Sequence, residues 1–235
     1  MIPLRDDQPS YSTPYINYFL IVLNVLVFLW ELSIGMQSSH ALNAFIGEFG
    51  VVPRHTVAVL TGHSYDSPVT ALLPFFTSMF LHGSFLHVAG NMLFLWIFGD
   101  NVEDYLGHFR YLLFYLGSGI VAALSQIILN PGSAIPTVGA SGAIAGVMGA
   151  YFILYPKARV LVWFPPIFFF HVPAWLMLGY WFLVQFFSGT ASSIVVTSQT
   201  TGGIAFWAHV GGFVAGVLAI KVFSERPQRQ RYGAW

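Results

Sequence analysis

The chain contains no cysteine. Disulfides, thiolate nucleophiles and cysteine-based metal sites are excluded at once. Charge is nearly as scarce: only 8% of the 235 residues are Asp, Glu, Lys or Arg, where a soluble domain carries about 25%. Lys plus Arg and Asp plus Glu number 9 each, so the formal net charge is zero and no basic surface offers itself to nucleic acid. Between Asp104 and Glu225 there is no acid at all, which removes the carboxylate that usually completes a catalytic triad. No internal repeat is visible, and this disfavours an inverted-repeat transporter. What fills the chain instead is apolar, with 56% hydrophobic and 17% aromatic residues, a composition suited to the bilayer.

A membrane span needs about 20 mainly apolar residues. Six runs come close to or exceed that length: 16–34, 84–98, 109–129, 141–155, 168–187 and 205–223. The expected fold class is an all-α membrane protein, a bundle of six transmembrane helices. Residues 35–81 mix polar positions with short apolar pieces and are punctuated by Pro53, Pro68 and Pro74. They are expected to form a long membrane-lying first loop with short helices. Three regions follow: a cytoplasmic N-terminal segment at 1–15, the six-span domain at 16–223, and a polar, disordered cytoplasmic tail at 224–235. The first 15 residues, MIPLRDDQPSYSTPY, are too polar and acidic for a cleavable signal peptide.

Lys and Arg set the orientation. With six spans both termini share a side, which would carry Arg5, Arg110, Lys157, Arg159, Lys221, Arg226, Arg229 and Arg231, against Arg54 alone on the other. Both termini are therefore expected in the cytoplasm, and the second, fourth and sixth runs begin at the outer face. The outer halves of those three runs hold His87 and Asn91, Ser141, and His209. Polar side chains inside a membrane are costly and point to function by default; the alternative is hydrogen-bonding glue between helices. Convergence of four such residues at one depth favours a site.

The centre of that site is Gly139-Ala140-Ser141-Gly142, where a loop becomes an apolar helix. A helix N-terminus offers unpaired N–H groups and a partial positive charge, which suit an oxyanion beside an oxygen nucleophile. Ser is equally a favoured helix cap. The fourth run is short: about 22 Å at 1.5 Å per residue, against a hydrocarbon core of about 30 Å. The fourth helix is thus expected to start inside the membrane, preceded by irregular backbone that lines a cavity. Ser141, Ala145 and Gly149 form one small-residue row, and His209, Gly212 and Gly216 form another. Such rows let two helices approach until His209 reaches the Ser141 hydroxyl. Glu31 is the only acid within a span, so a Ser-His dyad is expected rather than a triad. His82 and His87 are five apart and do not share a helix face, so no zinc pair is expected. Neither a metal nor a cofactor is implied.

These residues resemble the rhomboid intramembrane serine proteases. The matching elements are H-G-S-F-L-H-x-x-x-N (His82 to Asn91), G-D-N-V-E-D-x-x-G (Gly99 to Gly107), G-A-S-G (Gly139 to Gly142) and A-H-x-G-G-x-x-x-G (Ala208 to Gly216), in family order. The resemblance implies a serine endopeptidase with Ser141 as nucleophile and His209 as base. It implies an oxyanion site made by the Ser141 N–H, His87 and Asn91. It further implies single-pass transmembrane proteins as substrates, admitted beside the fifth span. Some members place an aromatic one turn after the nucleophile, packed on the histidine; here that position is Ala145, so Phe206 or an aromatic of another span is expected to take its place. Arg54 is a candidate anchor of the first loop. Glu103 and Asn101 are expected to hold the turn after the second span, and Gln126 to act as glue. The alternative reading is a non-catalytic rhomboid-like protein that binds or escorts membrane proteins; such members lack the nucleophile or base, and this chain keeps both. A small channel or transporter is disfavoured by the lack of acids in spans three to six.

Overall fold

The computed structural model describes residues 1–194 and 205–223; the tail expected at 224–235 lies outside them. The chain runs β1 (Ile2–Asp6), α1 (Tyr15–Gln37), α2 (Ser39–Phe49), α3 (Pro53–Leu60), α4 (Pro68–Leu72), α5 (Pro74–Thr77), a 3-10 turn (Ser78–Phe80), α6 (Phe85–Leu106), α7 (His108–Leu129), α8 (Ser141–Leu154), β2 (Arg159–Phe164), β3 (Phe168–Pro173), α9 (Ala174–Ile194) and α10 (Phe206–Phe223). The protein is a mostly helical membrane bundle. By length and apolarity α1, α7 and α10 can each cross a bilayer, and α6 makes a fourth when joined to the Pro68–Phe80 stretch, from which it is bent by 76°. The shorter apolar helix α8 stands apart from these.

The bundle is built around α8. Every residue from Gly142 to Tyr151 is buried, as a helix apolar all round requires. It packs on α10, α7 and α6. The closeness of these contacts is set by glycines. A Cβ on Gly212 would collide with the Gly142 carbonyl, and one on Gly216 with the Gly146 carbonyl. Both pairs advance by four residues along the two helices, so α8 and α10 run parallel in register. On the other flank a Cβ on Gly146 would strike Ser118, one on Gly142 would strike Ala122, and one on Gly211 would strike Ser125, all of α7. The expected row on α8 faces α10, with Ala145 beside the Gly212 position and Gly149 against the Phe213 carbonyl; Gly142 and Gly146 add the closest backbone approaches.

A three-stranded antiparallel sheet, ordered β1-β2-β3, corrects the all-α expectation. The fifth span was expected from residue 168, but Phe168–Pro173 pairs with β2 and the helix begins at Ala174. Hydropathy cannot separate these cases, because RVLVWF and FFFHVP are as apolar as a span. Their β-branched and aromatic residues suit strands, and Pro165 and Pro166 between them bar a helix. β1 falls within the polar segment expected at 1–15; its partner lies far along the chain, with Ile2 opposite Trp163. Asp6, at the end of β1, accepts a bond from the Tyr151 hydroxyl of α8, and burial pushes its carboxyl above the usual range.

α6 continues through the acidic G-D-N-V-E-D stretch to Leu106, and Gly107, at φ 76°, ends it. Glu103 is fully buried. Its carboxylate accepts from the backbone N–H of Ile16 at 3.0 Å and Asn17 at 2.7 Å, and contacts His108 Nδ1 at 2.5 Å. It therefore spans the turn after α6, as expected, and also supplies the first amides of α1 with the partner that a helix start lacks. Asn101 donates to the Gln8 carbonyl.

The first loop does contain short helices, α2 to α5. It holds the segment that leads into α8. Val51 and Thr137 exchange backbone bonds of 3.0 and 2.7 Å, and Arg54 N–H donates to the Ser133 carbonyl at 2.9 Å. Asp66 lies in this loop, where bonds from Ser64 and His55 hold its carboxyl below the usual range.

The glycine contacts generate a stability prediction. Gly216→Val pushes a side chain into the α8 backbone, which cannot give way as a flexible side chain can, and should cost about 1–3 kcal/mol or more. Gly117 on α7 has open space around its Cβ position, so Gly117→Ala should leave stability unchanged or raise it by up to about 1 kcal/mol. Thermal unfolding in detergent of both variants against the parent chain checks the pair.

Candidate active site

Ser141 is the first residue of α8. The residue before it in the cap position is Ala140, and no side chain caps this helix. The capping alternative thus fails: the Ser141 hydroxyl is free of the helix and turns towards α10. There its Oγ meets His209 Nε2 at 2.7 Å. His209 is buried, one turn into α10. The register of the glycine pairs explains the meeting, because Gly142 beside Gly212 leaves Ser141 level with His209, three residues earlier on α10.

Gly139 delivers Ser141 to this place. Its φ of 124° is one that only glycine adopts without strain, and a Cβ there would lie 2.7 Å from the His87 ring. Its N–H donates to the Ser78 carbonyl at 2.8 Å. The irregular backbone before α8 is therefore held from below by the 3-10 turn and from the side by α3.

His87 and Asn91 come from the first turns of α6. Its cap is Ser84, whose hydroxyl accepts from His87 N–H. Asn91 is buried, and its Nδ2 meets His82 Nε2 at 2.9 Å. His82 Nδ1 faces the Phe80 carbonyl at 3.3 Å, so its proton belongs on Nδ1 and Nε2 accepts from Asn91. That assignment fixes the Asn91 amide and leaves its second N–H for the cavity. The His82 backbone N–H in turn donates to the Glu31 carboxylate at 3.0 Å. Glu31, the acid considered for a triad, is committed to His82, at the start of the H-G-S-F-L-H-x-x-x-N motif, rather than to His209.

Two residues that sequence reasoning did not single out stand next to His209. Gln185 Oε1 of α9 lies 2.8 Å from His209 Nδ1. The Trp181 ring, one turn earlier on α9, is centred 5.7 Å from the imidazole with the planes inclined by 39°. Phe206 or an aromatic of another span was expected in place of the missing one at Ala145, and Trp181 of α9 occupies that place in space. Only the helical spacing of Trp181 and Gln185 hinted at a shared face. Gln126, expected as glue, has a buried Oε1 with no hydrogen-bond partner among the described residues. Arg54 anchors the first loop through its backbone, as described above.

Ser141, His209, His87, Asn91 and Trp181 line one cavity of about 660 Å³, together with residues 135–138. Its remaining wall is mostly apolar and includes Leu86 and Phe94 of α6 and Met148 of α8. A hydroxyl bonded to an imidazole, beside amide and imidazole donors and a helix N-terminus, is chemically equipped for nucleophilic attack on a carbonyl and stabilisation of the resulting oxyanion. Among the described residues no cluster of three His, Cys, Asp or Glu is placed to hold a metal.

A Rhomboid domain matches residues 70–226, more than half of the chain. The chain belongs to the rhomboid family. It is 32% identical over 167 residues to Rhomboid protein 1, mitochondrial, of Saccharomyces cerevisiae, covering 69% of this chain and 45% of the relative. It is 29% identical over 162 residues to the human presenilin-associated rhomboid-like protein, mitochondrial, covering 65% and 38%. It is 33% identical over 138 residues to Rhomboid protease GluP of Bacillus subtilis, covering 58% and 24%. This rhomboid therefore spans under half the length of these curated relatives. The matched region holds all four motifs that carried the resemblance, while β1, α1, α2 and α3 precede it.

Gly139 yields the prediction for this site. Gly139→Ala should lose about 1–3 kcal/mol through the forced backbone angle and displace the His87 ring. Thermal unfolding, with reactivity of Ser141 towards a fluorophosphonate probe measured on the same samples, reads both effects; a variant that unfolds and labels like the parent refutes the assignment of Gly139.

Proposed function

We propose that this rhomboid is an intramembrane serine endopeptidase acting through a Ser141–His209 dyad. The observation that carries the proposal is the 2.7 Å contact of Ser141 Oγ with His209 Nε2 inside a cavity of about 660 Å³. Ser141 Oγ attacks the substrate carbonyl as His209 takes its proton. The oxyanion forms beside the Ser141 N–H, Asn91 and His87. His209 then returns the proton to the leaving amine, and water repeats the sequence to release the acyl group. Substrates are single-pass transmembrane proteins cut in or near the span, which the apolar cavity walls suit. Neither metal nor cofactor takes part.

The same proposal takes α1, α6, α7, α8, α9 and α10 as six spans, with α8 starting inside the bilayer. Both termini lie in the cytoplasm and the cavity opens to the outer side of a prokaryotic cell membrane. Support comes from the eight-to-one division of Lys and Arg and from the GluP relative in a bacterium. The word mitochondrial in the names of other relatives belongs to those proteins.

Purified protein in lipid vesicles, incubated with a panel of transmembrane substrates and assayed by mass spectrometry, tests the reading. Ser141→Ala and His209→Ala should each abolish cleavage while remaining folded. Asn91→Ala should lower the rate on the order of 10²–10³-fold, the cost of one oxyanion donor. Cleavage retained by Ser141→Ala removes the dyad. Substrate capture without cleavage or Ser141 labelling by the parent chain favours the escort reading instead.

A further inference from the structure

A histidine base needs the right tautomer as well as the right place. His209 Nε2 can take the Ser141 proton only when the ring's own proton sits on Nδ1. A triad carboxylate secures this by accepting from Nδ1–H. No carboxylate does so here: Glu31 is engaged by the His82 backbone, and Asp and Glu are absent from 105 to 224. The partner of His209 Nδ1 is Gln185 Oε1, at 2.8 Å.

We infer that Gln185 is the positioning residue of the dyad, holding His209 in its Nδ1–H tautomer with Nε2 aimed at Ser141. The inference rests on the protease reading above. An amide oxygen is an acceptor only, so its contact with Nδ1 selects the tautomer that catalysis requires. A rotation of the amide by half a turn would present N–H groups to Nδ1 and select the idle tautomer.

The position of Gln185 is set by packing. It lies on the face of α9 that carries Met177, Leu178 and Trp181, and Met177 and Leu178 are buried. α9 rests on α8 and α10. Trp181 stands over the imidazole one turn away, so a single helix face supplies both the ring's stacking wall and its hydrogen-bond acceptor. The choice of an amide follows from the surroundings. Even a half-buried carboxylate among apolar helices would be costly, whereas a neutral acceptor orients the ring without that penalty. It also lacks the charge that steadies an imidazolium in a triad. His209 is thus oriented but not electrostatically assisted.

Other titratable groups near His209 are few. α8 and α9 carry no Asp, Glu, Lys, Arg or His. α6 presents His87 across the cavity. His108 and Arg110 of α7 lie in its first turn, and Lys221 in the last turn of α10, both distant along their helices from the Ser125–Gly211 contact beside the site.

The test compares the parent chain in vesicles with Gln185→Met, which keeps length but removes the acceptor, and with Gln185→Glu, which keeps the acceptor and adds charge. Cleavage of a transmembrane reporter is followed across pH, with fluorophosphonate labelling of Ser141 alongside and Ser141→Ala as blank. Gln185→Met should lose kcat on the order of 10²-fold with little change in KM. Gln185→Glu should keep activity and shift the acid limb of the pH–rate profile to higher pH, because a carboxylate favours the imidazolium. A residue that merely packs would not produce that shift. Parental kcat in Gln185→Met, or a Gln185→Glu profile superimposed on the parent's, overturns the inference. If Gln185→Glu does not fold, Gln185→Met decides alone. Absence of Ser141-dependent labelling in the parent chain sinks the protease reading itself and is thereby told apart.

Discussion

The structure depends on two helices whose backbones touch. Where α8 meets α10, Gly212 and Gly216 stand against the carbonyls of Gly142 and Gly146 with no side chain between them. In a bilayer there is no hydrophobic gain in bringing helices together, since lipid tails are as apolar as leucine. What remains is close packing, and small residues permit the closest. The register of those pairs places His209 level with Ser141. The same register puts Gly211 on Ser125 and Gly142 on Ala122, so α7 reinforces the pair from behind.

Around that pair, two side-chain amides carry out similar work from opposite sides. His82 holds the Asn91 amide on α6, and Gln185 faces His209 from α9. Each is a neutral device in an environment that penalises charge. The acids of the chain are found elsewhere: Glu103 at the start of α1, Asp6 beneath α8, Glu31 under the His82 amide. Glu103 and Glu31 accept from backbone N–H groups that would otherwise be unpaired, and Asp6 accepts from the Tyr151 hydroxyl.

Much of this was legible in the sequence. The bundle followed from apolar runs, and the small-residue rows and polar positions singled out Ser141, His209, His87 and Asn91, which the structure gathers at one cavity. Three things were not legible. FFFHVP reads as the start of a span because hydropathy has no strand signal strong enough to compete. β1 was invisible because a five-residue strand is defined by its partner, and that partner lies beyond eight helices. Gln185 was passed over because one amide in an aromatic helix has no motif around it, and only the seat of α9 brings it to His209.

The pairing of β1 with β2 has a consequence for the order in which the molecule is made. Ile2 and Trp163 face each other in the sheet, yet α1 to α8 lie between them in the chain. The strand that β1 needs follows α8 in the chain. Pairings so distant in sequence form late, once the loop between them has been closed by other contacts. β1 and its Asp6–Tyr151 bond therefore act as a latch that can close only when the helices between have brought its two ends together.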